Sequence, residues 1–294
     1  MKKIIFIFYF FFNFLVLTIN PSYGFIGIAL NCDDTVSVAI TAQQTCQDND
    51  TLIITNAGSV ILSGSNTIDV DSHTGVTIDN KGTISASVNQ AIDMQHAVNT
   101  TVTNSGTIEA TQRNAILMDG VNADNNTINN SGTLKAGKKQ VILATNSENT
   151  TIINSGTIEA TNANNPNTGG INYYNTSGSA INGATITNSG TIFAYGTAIR
   201  FGTQGNANKT VNDMTITNSG TIEGETASIV VYNDNTTGTN IITKGEGTYI
   251  GEITLRDTAT TLTLDCSISK DQDIELTDKT NITITNNLCG NDTY

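Results

Sequence analysis

The sequence predicts an all-β protein, a parallel β-helix of about nine coils with about 24 residues and three short strands per coil. Three observations carry this. First, one phrase recurs, as DNKGTISA at 79, TNSGTIEA at 103, NNSGTLKA at 129, INSGTIEA at 153, TNSGTIFA at 187 and TNSGTIEG at 217, with TNAGSVIL at 55 as a divergent copy. Its asparagines, Asn56, Asn80, Asn104, Asn130, Asn154, Asn188 and Asn218, are spaced 24, 24, 26, 24, 34 and 30 residues apart. Second, Ile68, Ile92, Ile116 and Ile142 each follow a repeat glycine by ten residues, so two landmarks hold one register. Third, Thr and Ile alternate at the period of a strand on both sides of the Ser-Gly bend.

The chain begins with a targeting pattern. Lys2 and Lys3 precede an apolar run from Ile4 to Ile19 broken only by Asn13, and Ser22 and Gly24 put small residues at −3 and −1 of a cut. Residues 1–24 therefore read as a secretory signal peptide; an uncleaved anchor is the alternative, because Phe25 to Leu30 is again apolar. Beyond it the chain holds 26 Asp and Glu against 11 Lys and Arg, a formal charge of −15. Such a balance, with no basic run, excludes a nucleic-acid partner, whose phosphates demand Lys and Arg.

Residues 25–50 read as an N-terminal cap containing Cys32 and Cys46, and residues 253–294 as C-terminal coils and cap containing Cys266 and Cys289. Four cysteines allow three connectivities. In an oxidising compartment disulfides are the default, and pairing sequence neighbours closes loops of 14 and 23 residues. With no CxxC and only His73 and His96 available, the zinc reading fails.

Residues 51–252 hold the repeats. Parity puts each repeat Asn on the inward side with Ile78, Val102, Ile128, Ile152, Ile186 and Ile216. A single buried amide is costly, but a column with one per coil passes side-chain hydrogen bonds up the stack. Gly between the two strands is expected for its conformational freedom. The two long spacings mark insertions at 161–184 and 203–213, and solenoid insertions form loops that often carry binding. The first contains Pro166 and the adjacent Tyr173 and Tyr174, which makes these the expected contact residues.

The NSGTIEA phrases, over residues 50 to about 250, resemble the β-helical passenger region of bacterial autotransporters, and the signal peptide agrees with that. The resemblance implies a right-handed helix presented outside the cell by an outer-membrane β-barrel translocator. Residues 250–294 show no series of alternating segments with aromatic girdles, so the chain reads as a passenger without its translocator: a fragment, a split gene, or a protein exported by a separate partner. The related two-partner-secreted haemagglutinin-like adhesins share the repeat flavour. Asn165-Pro166-Asn167-Thr168-Gly169-Gly170-Ile171 is similar to their NPNGI motif, though here it lies mid-chain and reads as a turn.

The register also stacks outward columns. Asp69 and Asp93 precede Leu117 and Leu143 in one; Asp71, Gln95, Asp119 and Thr145 follow in another. Asp69, Asp71 and Asp93 form the candidate metal site, for calcium, because adjacent like charges on a sheet invite a hard cation. Without the ion they form a hydrated acidic face with raised carboxyl pKa values. A polysaccharide-acting enzyme needs a basic group beside these acids, and Leu117 and Leu143 stand there instead, with Arg200 several coils away. Leu117, Leu143 and Val230 are expected to form an outward apolar stripe unless a loop covers them. No nucleophile motif occurs, and the catalytic expectation is none. The functional expectation is an exported surface or secreted display rod, adhesive towards a cell-surface ligand or glycan, requiring no cofactor.

Overall fold

The computed structural model describes residues 32–165, 168–176, 181–202, 211–232, 237–243, 247–255, 259–265, 274–276 and 283–287. The signal segment 1–24, Pro166, most of the 203–213 insertion, Cys266 and Cys289 lie outside the described residues. One turn is three strands and three bends, as in Thr101–Asn104, Thr107–Ala110 and Ile116–Asp119. Each strand pairs in parallel with its counterparts one repeat away: Val102 faces Ile78 and Ile128, Ile108 faces Ile84 and Leu134, and Ile116 faces Ile92 and Ile142. Three parallel sheets result, the second stacking nine strands and the third ten, in a right-handed β-helix. The expected cap at 25–50 supplies a coil of its own: Thr35–Val36, Ala39–Ile40 and Gln44–Thr45 pair with the first full repeat. Cys32 and Cys46 are buried and disulfide-bonded, with Cα atoms 4.5 Å apart. In the loop-entropy account that bond contributes about 3 kcal/mol.

Aliphatic columns fill the interior. Ile68, Ile92, Ile116, Ile142, Ile171, Ile199 and Ile229 are all fully buried in the third sheet, and each such side chain contributes roughly 1.5–3 kcal/mol. Beside them runs the amide column. Nδ2 of Asn80, Asn104, Asn130, Asn154 and Asn188 donates to Oδ1 of the next asparagine at 2.7–2.8 Å, ending on Asn218. Nδ2 also reaches the Thr carbonyl of the next coil, as from Asn80 to Thr107 at 3.1 Å. The Asn carbonyls in turn accept the bend above, Ser105 N–H donating to Asn80 at 2.8 Å. Each interior member is thus satisfied, which is what makes a buried amide file tolerable.

Asn56 is not a member. Ile54 is the register partner of Asn80, and the stretch from Ile54 to Val60 is two residues longer than that from Asn80 to Ile84. The wider bend carries Asn56 out to an exposed position. As a result Oδ1 of Asn80, the first acceptor in the file, is buried without a partner.

The bend glycines are needed for proximity, not for φ. None of Gly82, Gly106, Gly132, Gly156, Gly190 and Gly220 has a positive φ. A Cβ on any of them would lie 2.1 Å from the carbonyl oxygen of the bend glycine one coil below. One column of left-handed positions lies elsewhere, two residues before successive first-sheet strands: Asn49, Gly75, Asn99, Asn125, Asn149, Gly183 and Asp213, with φ between 51° and 78°. Asn, Asp and Gly are the residues that accept this conformation cheaply.

The 161–184 insertion is two segments rather than one loop. Gly169–Tyr174 is the third-sheet strand of its coil, with Ile171 paired to Ile142 and Ile199. Successive side chains of a strand point to opposite faces, so the two tyrosines separate. Tyr173 turns inward, fully buried between Ala144 and Phe201, its ring 5.6 Å from that of Phe201. The expectation that Tyr173 is a contact residue is therefore corrected; Tyr174 alone points out.

Candidate functional site

The outward column of the third sheet runs Thr45, Asp69, Asp93, Leu117, Leu143, Asn172, Arg200, Val230 and Thr254. Though outward, it is recessed: Asp93 is 6% exposed, Leu117 5%, Asn172 1% and Val230 7%. The expected exposed apolar stripe is thus absent, because Leu117 and Val230 are covered and Leu143 is half-buried.

Its acidic end is settled by hydrogen bonds. Asp69 accepts from Gln43 at 3.2 Å, and Asp93 accepts from the Asn66 amide and the Gln95 backbone N–H. Burial, reinforced by Asp69 and Asp71, pushes the Asp93 carboxyl up to about 6. Asp71 is exposed one turn along, bonded to Ser72 and 3.2 Å from His96 Nδ1. His73 stands likewise 3.2 Å from Asp48. Asp69 and Asp93 are brought together as register neighbours while Asp71 turns to the corner; among the described residues no three His, Cys, Asp or Glu side chains group to hold a metal ion. Burial also raises the Asp119 carboxyl.

The other end of the column carries a different cluster. The Arg200 guanidinium lies 5.7 Å from the centroid of the Tyr232 ring. It donates from one terminal nitrogen to the Tyr174 hydroxyl oxygen and from the other to Oγ1 of Thr197, both at 3.3 Å. Asn172 Nδ2 donates to the same Tyr174 oxygen at 3.0 Å. Nε of Arg200 and Oδ1 of Asn172 are buried without partners. Among the described residues no carboxylate lies within salt-bridge distance of Arg200. Four rungs separate it from Asp93, about 19 Å at the spacing of paired strands, so these two groups do not act on one bond.

Arg200, Asn172 and Tyr232 were not among the site residues the sequence pointed to. The signal for them was available: Asn172 and Arg200 follow Ile171 and Ile199 by one residue, as Asp93 follows Ile92. On the second sheet Glu109, Lys135 and Glu159 are register neighbours of alternating charge, with Lys135 Nζ 3.7 Å from Glu159. Comparison with known protein families, curated proteins and solved structures finds no match.

Proposed function

We propose that the chain is an exported β-helical display rod of the autotransporter passenger kind, which binds a cell-surface ligand and catalyses no reaction. The observation that carries this reading is the division of labour along the solenoid. Residues 32–165 contain no Phe, Tyr or Trp, and every aromatic between 50 and 255 falls in 173–249, on the coils that carry the insertions. Tyr173, Phe201 and Tyr249 belong to the core, but Tyr174, Phe193, Tyr195 and Tyr232 keep partly exposed rings there, which is the composition of a recognition surface, and the regular aromatic-free stack is a spacer. The leader-like residues 1–24 and the staple at Cys32–Cys46 support passage into an oxidising compartment. An outer-membrane barrel supplies translocation. The distance between Asp93 and Arg200 supports the absence of a polysaccharide-cleaving centre.

The test is expression of the whole chain in a Gram-negative host, followed by fractionation, N-terminal sequencing and incubation with a panel of polysaccharides. The expected product leaves the cytoplasm, begins at Phe25 and leaves every glycan intact. Retention in the cytoplasm with residues 1–24 attached defeats the export reading, and glycan cleavage defeats the non-catalytic one.

A further inference from the structure

The hydrogen-bond arithmetic of the Arg200 cluster leaves a surplus of donors. Tyr174 Oη accepts from both Asn172 Nδ2 and Arg200, so its lone pairs are spent and its own O–H must donate elsewhere. Arg200 keeps further terminal N–H groups after serving Tyr174 and Thr197, whereas its unpaired Nε–H is buried. The Tyr232 ring holds the guanidinium, and no described carboxylate neutralises it. In a chain of net charge −13, a half-buried arginine without an acidic partner is a conspicuous omission.

We infer that Arg200 and Tyr174 form a binding site for the carboxylate of an acidic sugar. The planar guanidinium fork matches a carboxylate in a way that an ammonium does not, and the Tyr174 O–H supplies a further donor to the same acceptor. A sugar is favoured over an acidic peptide side chain by what surrounds the fork. The partly exposed Tyr174 ring beside the guanidinium offers a face to sugar C–H groups.

This rests on the display reading, and its test is separate. The purified full-length exported chain is titrated calorimetrically with D-glucuronate, D-glucose, acetate and N-acetylglutamate. Saturable binding of glucuronate, with the other three weaker, is the expected result. Tyr174→Phe, which removes only the donor, and Arg200→Lys, which keeps the charge but not the fork, each weaken glucuronate binding at least about tenfold. Unchanged melting temperatures show that both variants remain folded. The inference is overturned if glucuronate does not bind, if either variant binds it as the parent does, or if acetate or N-acetylglutamate binds equally well. A rod found at the cell surface that ignores glucuronate removes this site alone; a chain that binds glucuronate but stays in the cytoplasm removes the display reading alone.

Discussion

The solenoid has two regions that solve the same packing problem differently. Between 32 and 165 the coils are closed by aliphatic side chains, Met94, Met118 and a file of amides, with no aromatic ring. Between 168 and 255 the coils lengthen, and Tyr173 and Phe201 take the inward positions held earlier by Met94, Met118 and Ala144. Longer coils enclose more volume, and rings fill it. The amide file passes through the change undisturbed, from Asn154 to Asn188 at 2.7 Å across 34 residues of sequence. The bends it braces are thus the constant of the fold, and the third side is where variation is absorbed. Binding residues belong on the side that can vary.

If the file is the constant, breaking it in the middle is the most damaging single change. Asn130→Leu leaves Oδ1 of Asn154 buried without a donor, while Nδ2 of Asn104 loses one acceptor and keeps the Gly106 and Thr133 carbonyls. The orphaned acceptor, together with a branched side chain forced into the close-packed file, costs about 4 kcal/mol. Asn56→Leu, off the file, changes stability by less than about 0.5 kcal/mol. Urea unfolding of the two variants measures the contrast, and equal effects would mean that the file is not what holds the bends.

The next largest effect tests the varied side. Tyr173→Ala empties a fully buried ring position against Phe201 and costs about 3–5 kcal/mol. Tyr174→Ala, one residue on and outward, costs less than about 1 kcal/mol. Thermal denaturation of both reports which tyrosine is structural; the reverse order would show that the strand is shifted by one residue.

The amide file, the aliphatic columns and the strand alternation were all legible in the spacing of Asn80 to Asn218 and of Ile68 to Ile142, because stacked coils repeat their contacts at fixed intervals. Asn56 was misassigned because it sits two residues before a glycine like its counterparts, while the register is set by Ile54 and Val60 across a wider bend. Tyr173 was misassigned because the surplus of the 161–184 segment was taken as continuous. Ile171 between Gly170 and Asn172 was the clue that a strand interrupts it. The left-handed column at Asn49, Asn99, Asn125 and Asn149 was also readable, as Asn or Gly two residues before each strand threonine. The place of Asn172 and Arg200 in the outward column was readable from Ile171 and Ile199, but their hydroxyl and ring contacts across coils were not, since no spacing encodes them.

Within the aromatic-free region the recessed acid at Asp93 gives a smaller effect with a definite pH signature. Its folded carboxyl titrates near 6, above the unfolded value of 3.8, so the folded state holds the extra proton. Stability from this group is present at low pH and is lost as pH rises through 6. Asp93→Asn keeps the shape and removes the titration. After discounting for partial access of water, it stabilises the protein by about 2 kcal/mol at pH 7.5 and by nothing below the unfolded value of 3.8. Subtracting the two pH–stability curves isolates Asp93 from groups such as Asp48, which the Thr74 N–H and His73 shift downward. A flat difference curve would show that Asp93 is hydrated like an ordinary surface acid.

The smallest expected change sharpens the comparison at the lower end of the file. Oδ1 of Asn80 lacks a donor because Ile54 occupies the place below it. Ile54→Asn supplies that donor and extends the file by one member. The gain is one buried hydrogen bond, about 1 kcal/mol, together with relief of an orphaned acceptor. The loss is a fully buried isoleucine, roughly 1.5–3 kcal/mol of burial, and a new Oδ1 that becomes the terminal orphan in its turn. The relieved orphan and the new one cancel, so a net cost of about 0.5–2 kcal/mol is expected, against 2–5 kcal/mol for Ile54→Ala at the same site. A chain that tolerates Asn at 54 far better than Ala demonstrates that the new amide has joined the file. Equal destabilisation by the two would show that the wider bend at 55–58 holds position 54 out of line with Asn80, and that the file ends there for geometric reasons.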